Sequence, residues 1–96
     1  MTKTVPMIPV QLAHSLRVES RQASEIAVSA GSVREALGQL TERYPALYRC
    51  VCDETGAVRR HLHLFVNNTL LHRQKGLDTV LGPGDVLSIM TAVSGG

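Results

Sequence analysis

At 96 residues and 44% hydrophobic, the chain has material for one small domain with one core, and with only Tyr44, Tyr48 and Phe65 as aromatics that core must be aliphatic. A net charge of +2, scattered arginines and few rings to stack bases argue against a nucleic-acid partner. No stretch approaches a membrane span or follows a basic start as a secretory leader does, which predicts a cytoplasmic protein with no membrane partner.

The opening stretch from Thr4 to Leu12 is apolar and β-leaning, but Pro6 and Pro9 withhold ladder donors. This predicts an interrupted strand with a bulge or an early exit. Residues 13–22 turn polar and basic and suit a loop or a hairpin connection. Ser24 to Ser29 alternates polar and apolar, the pattern of a half-buried strand, and two strands so close in sequence pair most simply as a hairpin. The best-marked helix follows. Ser32 and Glu35 fit a capping box, while Val33, Ala36, Leu37, Leu40 and Tyr44 recur at helical spacing. Pro45 stops the run, so the pattern predicts a helix over about residues 33–44.

Ala46 to Arg60 carries Leu47, Tyr48, Val51 and both cysteines. It reads as irregular or helical structure packed on the core, with a turn at Asp53 to Gly56. His61 to Asn67 is a strand with Leu62, Leu64 and Val66 on one face and His61, His63 and Phe65 on the other. Asn67-Asn68 marks a tight turn into a short strand, Thr69 to His72. Leu77 to Leu81 makes about one helical turn, and Gly82-Pro83-Gly84-Asp85 leads into the last strand, Val86 to Val93. There Leu87 and Ile89 should face inward, Ser88 and Met90 outward. The expected core between helix and sheet is Leu37, Leu40, Leu62, Leu64, Leu87 and Ile89.

Strand, strand, helix, strand, strand, strand is the order of an α+β β-grasp fold. In it a mixed sheet curls over one main helix, with the first and last strands parallel and central. A ferredoxin-like split would need a second good helix, and none is evident in the pattern.

Residues 1–92 are expected to form the domain, leaving Val93-Ser94-Gly95-Gly96 as a flexible tail. A terminal Gly-Gly adds nothing to stability, because ordering glycine costs more backbone freedom than ordering any other residue. It does supply a thin strand ending in a carboxylate, able to thread a narrow channel in another protein. The duller reading is a plain glycine linker. Four extended residues reach about 13–14 Å, enough to enter a buried active site.

Read together, several of these segments resemble one family. They are Arg43-Tyr44-Pro45 closing the helix, Leu62-His63-Leu64-Phe65-Val66-Asn67-Asn68, Gly76-Leu77-Asp78-Thr79, Gly84-Asp85-Val86 and the closing Ala92-Val93-Ser94-Gly95-Gly96. The pattern resembles the ubiquitin-like sulfur carriers, which include the small subunit of molybdopterin synthase and the carrier for thiamine thiazole synthesis. Others serve cysteine or thio-natural-product biosynthesis. The resemblance covers the chain from Ser32 onward, with departures at Asn68, Thr69 and Thr91 that bear on the branch. The long middle segment, Leu47 to His61, is most similar to the cysteine-pathway carriers.

The resemblance implies that Gly96 is adenylated by a partner enzyme using ATP and magnesium, then converted to a thiocarboxylate. It further implies a second, sulfur-accepting enzyme as partner, no bound cofactor, and no catalysis by this chain, which would be a monomer when free. A ubiquitin-like modifier joined to lysines through the same terminus is the alternative, and a plain interaction module a third reading.

Other residues have simpler readings. His61 and His63 project from one face of a strand, but no Cys, Asp or Glu stands at ligand spacing to complete a metal site. Cys50 and Cys52 are poorly placed to bridge each other and read as small packing residues rather than redox thiols. Asp78 and Asp85 read as turn and cap residues. Because the last strand should lie beside the third, His63, Phe65, Ser88 and Met90 are expected to share one outward patch that docks a partner.

Overall fold

A computed structural model describes residues 5–20, 24–72 and 75–91. Strands β1 (Met7–Leu12) and β2 (Glu25–Ser29) form the expected antiparallel hairpin, with Val10 opposite Ile26. Pro9 does not interrupt β1. The backbone bonds to β2 fall on even-numbered residues of β1: Leu12 donates to the Ser24 carbonyl at 2.9 Å and the Pro6 carbonyl accepts from Ala30 at 3.1 Å. An N–H at position 9 would therefore point away from β2, toward a neighbour that pairs only with Val10 to Leu12. No donor is missed, and the expected bulge or early exit is corrected to a continuous strand.

Between β1 and β2, where a polar loop is expected, His14–Ser20 winds into a 3-10 helix. It buries Leu16, which is 5% exposed. Helix α1 (Val33–Arg43) starts where the capping pattern places it: the Ser32 hydroxyl accepts from the Glu35 N–H at 3.2 Å. The Glu35 carboxylate reaches one residue further back than a capping box requires, accepting from the Gly31 N–H at 2.8 Å. Tyr44 closes the helix through its N–H to the Leu40 carbonyl.

Pro45 both ends α1 and begins a second helix, α2 (Pro45–Val51). At the first helical position the missing N–H has no partner to lose and the fixed φ suits the turn. Leu47 and Val51, one turn apart, are each 0% exposed. The segment read as irregular or helical is thus a short helix in its first part, and α1 remains the one main helix of the topology.

Strands β3 (Leu62–Val66) and β4 (Thr69–Leu70), a 3-10 helix at Lys75–Asp78 and strand β5 (Leu87–Thr91) complete the described chain. The fourth strand is thus shorter than the expected Thr69 to His72, and the helical turn begins two residues before the expected Leu77 to Leu81 and ends at Asp78. Ala92 and Val93, expected to end the last strand, lie outside the described residues. The five-stranded sheet has the order β2-β1-β5-β3-β4, with β1 and β5 parallel at its centre. This is the β-grasp arrangement that the element order implies.

All six residues expected in the core are buried, from 0% exposure at Leu87 and Ile89 to 6% at Leu64. Ile8, Val10, Leu12 and Val28 extend the same inner face of the sheet. Gly76 shows why one glycine of the sequence pattern is required. A Cβ there would lie 2.6 Å from the Leu71 Cβ.

Candidate functional site

Val93, Ser94, Gly95 and Gly96, the expected reactive end, lie outside the described residues. The strand that leads to them, β5, is held on both flanks at the centre of the sheet. On one flank β5 pairs with β1 in register Leu12 with Ile89, and the Ala13 N–H donates to the Ile89 carbonyl at 2.9 Å. On the other flank β3 pairs with it through Leu62 and Thr91. β3 stays paired to Thr91, the last described position, and β1 to Ile89, two residues before it.

The start of β5 is fixed by a clamp. Asn67 adopts φ 56, a left-handed conformation that asparagine tolerates better than most residues. Its carboxamide donates to the Asp85 carboxylate at 3.1 Å and accepts from the Val86 N–H at 3.1 Å. Asp85 also accepts from the Gly82 N–H at 2.9 Å. That bond first, and the Asn67 bond second, hold its carboxyl below the usual value. Asp85 is the turn residue the sequence suggests. Asp78 instead pairs with Arg34 at 3.0 Å across an exposed surface, a contact worth little.

The outer face of the sheet carries the expected patch. His63 stands opposite Met90 and Phe65 opposite Ser88, so register brings the four residues together. Ser88 is corrected on one point. It lies on the outward face but is only 8% exposed, with its hydroxyl 3.4 Å from the Gln11 carboxamide oxygen. Alternation assigns a face, whereas a short side chain on a central strand is overtopped by the longer residues of its neighbours. His63, Phe65 and Met90 are half-buried, and His61 is exposed. Leu70, opposite Phe65 and 55% exposed, joins the patch. The Asn67-Asn68 turn was the sequence signal for that pairing, since it sets which residues of β3 and β4 face each other.

The cysteines have no disulfide. Cys50 is half-buried, and Cys52 is 2% exposed beside the Tyr48 hydroxyl. Burial pushes the Cys52 thiol up to about 11, so it is protonated and unreactive near neutral pH. Among the described residues, no three His, Cys, Asp or Glu side chains gather as a metal site. No helix among them is long and apolar enough to cross a membrane.

The sequence model of the ThiS family matches residues 11–96. No curated protein matches the chain. Among solved structures, small archaeal modifier protein 1 from Methanosarcina acetivorans superposes with a TM-score of 0.79 at 27% identity, covering 98% of this chain and 100% of that one. CysO from Mycobacterium tuberculosis gives a TM-score of 0.80 at 22% identity, covering 90% and 99%. The BexX/CysO complex from Amycolatopsis orientalis gives 0.77 at 24%, covering 93% and 99%. The last two likenesses carry the fold alone; the family match spans most of the sequence. The chain belongs to the ThiS family of small ubiquitin-like carrier proteins.

Proposed function

We propose that the chain is a sulfur carrier whose C-terminal Gly96 is adenylated and then converted to a thiocarboxylate. The observation that carries this reading is the match of the family through residue 96, which takes in Gly95-Gly96. A Gly96 carboxylate oxygen attacks the α-phosphorus of ATP, held with magnesium on a separate activating enzyme, and pyrophosphate leaves. A sulfur donor then attacks the acyl carbon, AMP departs, and the thiocarboxylate remains. Its sulfur passes to an acceptor in a second enzyme. The chain is a co-substrate in both steps, and the catalytic groups belong to its partners.

Val93, Ser94 and Gly95 thread the partner's channel in this reading, and Gly95 lacks the Cβ that would crowd it. His63, Phe65 and Met90, with Ser88 between strands beneath them, form the docking patch. The long segment from Leu47 to His61, which holds α2 and the turn after it, favours a cysteine or thio-natural-product pathway over molybdopterin or thiamine. A second reading is supported by the likeness to a named modifier protein at 27% identity. There the activated Gly96 is joined to a lysine amine of another protein.

Deletion of Gly96 tests the first reading. The truncated protein should melt within about 1 °C of the full chain, since the last residues of a domain commonly add little stability. It should form no thiocarboxylate with ATP, magnesium, the host's activating enzyme and a sulfide donor. Thiocarboxylate on the truncated protein would overturn the assignment. Isopeptide-linked conjugates without any thiocarboxylate would favour the modifier.

A further inference from the structure

The sheet has two edges, and they are protected differently. At one, β4 is only two residues long. At the other, β2 is five residues long, and Glu25, Ala27 and Ser29 are exposed. The pairing of β2 with β1 uses the even-numbered residues, as the Leu12 to Ser24 and Ala30 to Pro6 bonds fix. Glu25, Ala27 and Ser29 therefore point their N–H and carbonyl groups away from the sheet. Such an edge is a template for another strand.

One side chain reaches over it. Arg43, at the last turn of α1, donates from Nη1 to the Ala27 carbonyl at 2.8 Å. Its guanidinium carbon also lies 5.8 Å from the centre of the Tyr44 ring, within cation–π range, so the ring helps to fix its position. Ala27 is the middle residue of β2. A guanidinium there occupies the central acceptor that an incoming strand would need.

We infer that the free edge of β2 is a self-pairing edge for a second copy of this chain, and that Arg43 keeps it closed. The edge is self-complementary. An antiparallel pair about a two-fold axis through Ala27 sets Ala27 against Ala27 and Glu25 against Ser29 of the other copy, so like charges never face. Small side chains at 27 and 29 leave room for the approach. The closing residue belongs to Arg43-Tyr44-Pro45, a motif that carrier chemistry at the tail does not use. Pairing here would join two sheets on the side of β1 away from β5, so β5 takes no part in the contact.

Sedimentation equilibrium on the full chain tests this. Arg43→Met keeps an unbranched stem against Tyr44 and removes the donor. It should show a monomer–dimer equilibrium with a dissociation constant at least tenfold below that of the wild-type chain, while Arg43→Lys should behave as wild type. Adding Ala27→Pro to Arg43→Met should return the monomer, because the proline removes an N–H that faces outward and spares the bonds to β1. Arg43→Leu, which also lacks a donor, provides the same reading should Arg43→Met fold poorly, as judged by circular dichroism. Equal dissociation constants for wild type and the folded variants would overturn the inference. So would a dimer that survives Ala27→Pro, since that contact would not run through β2.

Discussion

The two faces of the sheet are drawn from the same strands and follow different rules. The inner face is aliphatic throughout, and Ile8, Val10, Leu62, Leu87 and Ile89 are each no more than 1% exposed. The outer face mixes histidine, phenylalanine, serine, methionine and glutamine, with Met7 at 58% and Leu70 at 55% exposure. Alternate residues of β3 thus stand in different surroundings: Leu62, Leu64 and Val66 are buried in the core, and His63 and Phe65 lie half-buried on the outer face. The lesson is that burial changes here at single-residue spacing, so substitutions one position apart should have different consequences, and under the proposed function the outer ones should affect recognition more than stability.

The sharpest break of the comparison is at neighbouring residues. Leu64→Ala should cost about 2–5 kcal/mol of unfolding free energy, the range for deleting a buried leucine. Chemical denaturation would read this directly, and a cost below about 0.5 kcal/mol would mean that the two faces are wrongly assigned. Next in size is Gly76→Ala. The added methyl meets the Leu71 Cβ at 2.6 Å, and overpacking of this kind typically costs about 1–3 kcal/mol. Phe65→Ala, on the outer face and half-buried, should cost about 1 kcal/mol of stability. It should weaken binding to the activating enzyme by more than about 1 kcal/mol, as measured by calorimetry.

The smaller effects sharpen the account at single groups. The Asp85 carboxyl is held below its ordinary 3.8 by the Gly82 N–H and then by Asn67. A lowered folded value means its stabilisation is present above about pH 4 and is lost as the pH falls through the folded value. The melting temperature of Asp85→Asn should therefore decline less between about pH 5 and 2 than that of the wild type. Cys50 should be alkylated by iodoacetamide at about pH 8 well before Cys52, whose thiol is buried and pushed up to about 11. Peptide mapping would show equal rates if Cys52 were accessible.

How much of this was legible depended on the kind of signal. Helix α1 could be read because Ser32, Glu35 and the apolar spacing agree, and the sheet because alternation and turn residues agree. Helix α2 is legible only as irregular or helical structure, because Pro45 marks a stop for α1 and is equally favoured at the first position of a new helix. The Leu47 and Val51 spacing was the signal beside it. Pro9 misled, because whether a proline breaks a strand depends on which side its missing N–H would face. Ser88 was placed on the correct face but not in its depth, which depends on β1 and β3 closing over it from distant sequence. The link between Arg43 and Ala27 could not be read from the chain, since the two are sixteen residues apart and meet only when α1 packs beside β2.

The central claim concerns the one group at the end of the chain, and intact mass spectrometry of the protein from its native host tests it most directly. The account predicts a species about 16 mass units heavier than the free acid, oxygen replaced by sulfur, that disappears on deletion of Gly96. A population carrying only the free carboxylate, under conditions where the activating enzyme and its sulfur donor are both present and active, would contradict it.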